Sequence, residues 1–165
     1  MERATSIKNL LFGNEFTSLD DKGRMTLSRR KRDVLMPEFA MGLDESGRVF
    51  AAPSALVVRW HEMAMQMLPE ESLFDEMCEA LFANLHDGLT FDTQGRVTVP
   101  QELRMAAGLE KEIAVLGRLD RLIIMSRNSY DQFRNTMEMN NDEDREIVHR
   151  KVMERVRARI GQETR

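Results

Sequence analysis

The sequence predicts an α+β fold in which one unit occurs twice in tandem, followed by a charged C-terminal helix or tail. Three observations lead there. "LDDKGRMTLSRRKR" (Leu19–Arg32) and "FDTQGRVTVPQELR" (Phe91–Arg104) share one layout at a shift of 72 residues: Asp20 meets Asp92, Gly23 meets Gly95, Arg24 meets Arg96, Thr26 meets Thr98 and Arg32 meets Arg104. The likeness resumes with a shift one residue larger, where "GRVFAAPSALVVRW" meets "DRLIIMSRNSYDQF", Arg48 meets Arg121 and Trp60 meets Phe133. Around each Gly turn, apolar and polar residues alternate, as in "RVTVP", the period of a half-buried strand. A doubled pattern of this kind marks an internal repeat, which sets the fold before any single element does.

Each half then reads as β-turn-β-α-β-turn-β-α. In the second half, Pro100 ends the strand after Gly95, "QELRMAAG" has helical composition, and Gly108 is placed to cap that helix. "EIAVLG" and "RLIIMS" form a strand pair turning near Leu119-Asp120, and "SRNSYDQF" opens a helix with Ser126 or Asn128 as its cap. The first half departs at two places: Ser28 stands where the second has Pro100, and Lys31 where it has Leu103. These residues leave the packing of the first helix open, and Lys31 is expected to add cationic surface beside Arg24. Between the halves, Leu68-Pro69 breaks the chain, and Leu73, Phe74, Met77, Cys78, Leu81, Phe82 and Leu85 fall on one helical face. At the C-terminal end, Val148, Val152, Val156 and Ile160 recur every four residues in a charged segment, a narrow helical stripe. The boundaries are 14–62 for the first repeat, 63–87 for connecting helices, 88–134 for the second repeat and 135–165 for the charged end.

The 165 residues are 42% apolar and 32% charged, the balance of a folded soluble protein. Cys78 is the single cysteine, so no internal disulfide is possible. "MERATSIKNLLFGNEF" lacks a signal-peptide pattern, and no apolar run approaches a membrane span. A cytoplasmic protein is expected, with no membrane partner. His61, His86 and His149 are scattered, "WHEMAM" lacks a second His at helical spacing, and no phosphate-binding or nucleophile motif occurs. No enzyme, cofactor or metal site is expected.

The formal net charge is −4, yet Leu19–Arg32 carries six basic side chains. Phosphates respond to the local field, so an acidic chain can still bind nucleic acid through such a strip. Gly23 and Gly95 allow the backbone to turn with φ > 0. Arg24 and Arg96, leaving the turn, present planar guanidinium groups suited to phosphate oxygens or the O6/N7 edge of guanine. Asp20 and Asp92 repel phosphate, and their expected role is to hold the arginine or the turn amides. The candidate DNA-binding residues are Asp20, Lys22, Gly23, Arg24, Arg29, Arg30, Lys31, Asp92, Gly95 and Arg96.

"LDDKGRMTL" and "FDTQGRVTVPQELRMAAGLEKEIAVLGRLDRLIIMS" resemble the two swapped-hairpin AbrB-like repeats of the MraZ family, bacterial transcription regulators associated with the division and cell-wall gene cluster. The family's Asp-x-x-x-Arg motif stands here as Asp20…Arg24 and Asp92…Arg96, and the resemblance spans roughly Asn14 to Phe133. It implies β-barrel repeats, a ring-like homo-oligomer, and contact with double-stranded DNA at short repeated boxes upstream of the cluster, most simply as a nucleoid-associated repressor. The alternative is an antitoxin-like or scaffold interaction protein on the same fold, with Val148–Ile160 gripping a partner.

Overall fold

The computed structural model describes residues 9–67 and 82–139, with Glu76, Glu79, Arg150 and Glu154 besides. Most of the apolar face at Leu73–Leu85, the cysteine and the stripe from Val148 to Ile160 lie outside the described residues. The chain divides into two compact units, 1–127 and 128–165.

The first unit contains β1 (Asn14–Ser18), β2 (Arg24–Thr26), α1 (Arg29–Leu35), β3 (Phe39–Leu43), β4 (Val49–Pro53) and α2 (Ser54–Met67). The same order then recurs as β5 (His86–Leu89), β6 (Arg96–Thr98), α3 (Gln101–Ala106), β7 (Glu112–Gly117) and β8 (Leu122–Ser126). A last helix, α4 (Arg127–Met139), lies almost wholly in the second unit. This is the succession the repeat predicts, with Gly108 at φ +58 just beyond α3.

The pairing joins the halves rather than separating them. Six strands form an antiparallel sheet in the order β1-β7-β8-β4-β3-β5, and β2 pairs with β6 in a separate two-stranded ribbon. Exchanging the halves reverses the six-strand order and leaves it unchanged. β1 of the first half lies on β7 of the second, and β5 of the second lies on β3 of the first. Each half thus gives its opening strand to the other, the swapped arrangement that the resemblance implies. The six-stranded sheet stays open at β1 and β5 instead of closing into a barrel.

The core is correspondingly shared. Met25, Leu27, Leu35, Phe39 and Met41 from the first half pack in one cluster with Val97, Val99, Leu103, Ile113 and Ile124 from the second. Phe39 stacks on Phe91 with ring centroids 4.9 Å apart. Strands β4 and β8, central in the sheet, are buried on both faces over most of their length, which explains "VFAA" and "LIIM" as continuous apolar runs rather than alternating ones.

Candidate nucleic-acid interface

The ribbon is short, and its two faces differ. Arg24 faces Thr98, Met25 faces Val97 and Thr26 faces Arg96. Side chains alternate along a strand. Met25 and Val97, 1% and 3% exposed, point into the core, leaving Arg24, Thr26, Arg96 and Thr98 on the outer face. The two arginines sit at opposite corners of that face.

Each arginine is held by the aspartate four residues before it. Asp20 Oδ1 accepts the backbone N–H of Lys22 at 3.0 Å and of Arg24 at 2.9 Å, and Asp20 Oδ2 accepts Arg24 Nε at 2.7 Å. Arg24 Nη2 lies 2.7 Å from the same oxygen. In the second turn, Asp92 Oδ1 accepts from the amides of Gln94 and Arg96, both at 2.9 Å, and Oδ2 accepts Arg96 Nε at 2.8 Å. The Arg24 side chain and backbone N–H groups hold the Asp20 carboxyl down from 3.8 to about 2. Bonds from the Arg96 amide and then its side chain lower Asp92 in the same direction. Asp20 raises Arg24 in turn, with a smaller contribution from Asp92 across the ribbon. The expected role of the aspartates, holding arginine and turn amides together, is what the geometry displays. One edge of each guanidinium is committed to this clasp, and the Arg24 and Arg96 side chains remain 27% and 30% exposed.

The repeated glycines have a second reason beyond their φ of +73. A Cβ at Gly23 would collide with the Arg104 guanidinium, and one at Gly95 with that of Arg32. The closing arginine of each repeat therefore lies over the turn of the other repeat. Arg104 Nε donates to the Val99 carbonyl at 3.1 Å, and the Val99 N–H donates to the Gly23 carbonyl at 2.9 Å. Arg32 and Arg104 are visible in the repeat, but their crossing to the opposite turn is not, because it depends on the strand exchange.

The cationic strip is less uniform than its sequence. Lys22 is exposed. The Arg29 side chain is 88% exposed and 3.8 Å from Asp33. Arg30 is exposed, with its guanidinium 3.5 Å above the Phe12 ring. Lys31 is a correction: it is buried, and its Nζ lies 3.1 Å from Glu15 Oε2. It fills the place Leu103 fills in the second half, so it adds nothing to the outer cationic surface. Of the candidate cations, Lys22, Arg29 and Arg30 are exposed, and Arg24 and Arg96 are half-buried.

A third clasp went unread in the sequence. "DESGR" (Asp44–Arg48) at the β3–β4 turn repeats Asp-x-x-Gly-Arg. Asp44 Oδ1 accepts from the amides of Ser46 and Arg48, both at 2.9 Å, and Oδ2 accepts Arg48 Nε at 2.8 Å. The clasp is thus a general way of closing such a turn. The copies at Asp20 and Asp92 differ from it in standing on the exposed β2·β6 ribbon.

Among the described residues no group of three His, Cys, Asp or Glu is placed to hold a metal ion, and no helix is long and apolar enough to cross a membrane. Comparison with known proteins supplies the family. Residues 85–150 match the family model described as "MraZ protein, putative antitoxin-like". A protein of Finegoldia magna named transcriptional regulator MraZ is 30% identical over 139 residues, which cover 81% of this chain and 93% of that protein. Proteins of the same name from Desulforapulum autotrophicum and Kineococcus radiotolerans are 31% and 30% identical, covering 76% and 78% of this chain and 86% and 90% of theirs.

Proposed function

Because the chain belongs to the MraZ family, we propose that it is a transcriptional regulator that binds double-stranded DNA through the outer face of the β2·β6 ribbon. One observation carries the reading: Arg24 and Arg96, each fixed by its aspartate, share one exposed two-stranded ribbon. A ribbon of that width enters a B-DNA major groove. The free edges of the two guanidinium groups reach phosphate oxygens or guanine, while Lys22, Arg29 and Arg30 supply attraction that does not depend on sequence. In the finer form of this reading, the protein is a ring-like homo-oligomer. It represses the division and cell-wall cluster from short repeated boxes upstream of its own gene, and so resides with the nucleoid.

Repetition suits this assembly. The described residues of each chain offer one ribbon, and a ring would offer several at fixed spacing, so modest single contacts become strong through effective concentration. Footprinting on the DNA upstream of the protein's own gene tests the reading. Protection of short, regularly spaced boxes is expected, and a uniform or absent footprint would overturn it.

A further inference from the structure

The two halves begin their short helix with the same backbone but different chemistry. Ser28 precedes α1 with φ −55 and ψ 147, and Pro100 precedes α3 with φ −51 and ψ 137. Pro100 has no N–H to satisfy, and Leu103, 1% exposed, packs into the core. Ser28 has an N–H, and Lys31 carries a charge into the matching place. Ser28 is exposed, whereas Lys31 is buried, and a buried ammonium group without a partner is costly.

Glu15 of β1 meets that demand and takes the Ser28 amide as well. Its Oε1 accepts the Ser28 amide at 3.2 Å, and its Oε2 accepts Lys31 Nζ at 3.1 Å. The corresponding acid of the second half, Asp87 on β5, makes a different bond and accepts from the Ser54 hydroxyl. Both departures of the first half from the repeat therefore converge on one carboxylate.

The consequence falls on the opposite half. Lys31 is followed by Arg32, whose guanidinium covers Gly95. Arg104, the counterpart over Gly23, is tied by its Nε to Val99 of its own half. Arg32 Nε is buried and makes no hydrogen bond, so the tie that Arg104 makes through its Nε has no counterpart in the first half.

We propose that Glu15 is a positioning residue for the Asp92–Arg96 turn: by holding Ser28 and Lys31 it seats α1, which lays Arg32 over Gly95. Glu15 thus governs the turn encoded in the other repeat. Its effect on DNA rests on the reading given under Proposed function, whereas its effect on the turn does not.

Amide hydrogen exchange on the full-length protein tests this without DNA. In Glu15→Ala the Gly95 amide, which donates to the Asp92 carbonyl at 2.9 Å, should exchange faster by about tenfold. The Gly47 amide, in the matching bond to Asp44, should keep its rate. The triple variant Glu15→Ala/Ser28→Pro/Lys31→Leu, which gives positions 28 and 31 the residues of the second half and removes the acid they no longer use, should restore slow exchange at Gly95. Glu15→Gln keeps the shape but offers one acceptor oxygen for the two donors and no charge for Lys31, so it serves the same comparison if Glu15→Ala does not fold. An unchanged Gly95 rate, equal acceleration at Gly95 and Gly47, or failure of the triple variant to restore protection would overturn the proposal. On DNA, Glu15→Ala should be non-additive with Arg96→Ala and additive with Arg24→Ala. If exchange behaves as expected but no arginine variant alters DNA affinity, the positioning role stands and the DNA reading falls.

Discussion

At the scale of single residues, each Asp20 and Asp92 carboxylate closes its turn and aims its arginine at once. One oxygen gathers two amides and the other takes the guanidinium. Acid should undo this late. Asp20 is lowered from 3.8 to about 2, so its contribution to stability is complete above pH 3.8 and disappears as the pH falls through about 2. Carbon-detected titration of the Asp20 carboxyl should give a midpoint near that lower value, and a midpoint at 3.8 would remove the clasp from solution. Gly95→Ala combines a disfavoured φ with a collision against Arg32 and should cost more than about 1 kcal/mol in denaturant unfolding. The sequence made the aspartates, glycines and leading arginines legible because they recur at constant spacing. It hid Glu15, because its two partners lie on a different element and its counterpart Asp87 bonds elsewhere.

Among the elements, α1 is where the repeat misleads. Lys31 reads as part of a solvated strip, yet it takes the core-facing place of Leu103, since a seven-residue helix has few residues to bury. Lys31→Leu alone should therefore destabilise by about 1–3 kcal/mol, because Glu15 loses its charged partner, although leucine occupies that place in the other half. Thermal unfolding of the single variant beside Glu15→Ala/Ser28→Pro/Lys31→Leu measures this. The cations that remain exposed on α1 are Arg29 and Arg30, with Asp33 exposed beside them. Replacing both by Ala should weaken specific and random duplexes alike, and flatten the dependence of log affinity on log salt by about 0.9 per lost phosphate contact. The strand succession was readable from period and turn chemistry. The pairing was not, because a strand donated to the other half has the same alternation as one kept at home.

For the molecule as a whole, the exchange of β1 and β5 makes the two repeats one folding unit with a common core. The segment 88–134 expressed alone should not be a folded monomer; a concentration-independent, dispersed NMR spectrum at monomer mass would contradict the shared core. Open sheet edges at β1 and β5 are surfaces that proteins usually cover, which accords with assembly beyond two subunits; light scattering at micromolar concentration should give such a mass. On the proposed reading, position on the ribbon, rather than the clasp itself, makes an arginine a DNA contact, and the third clasp supplies the control. Affinity for the DNA upstream of the protein's own gene and for random duplex should be measured for Arg24→Ala, Arg96→Ala and Arg48→Ala, each checked for folding by circular dichroism. Loss of a bidentate guanine contact corresponds to about 1–3 kcal/mol. Arg24→Ala and Arg96→Ala should therefore lose specific affinity by about tenfold or more while their random binding changes less, and Arg48→Ala should bind as the unaltered protein does. Equal losses in all three folded variants, or no loss at Arg24 and Arg96, would contradict the account.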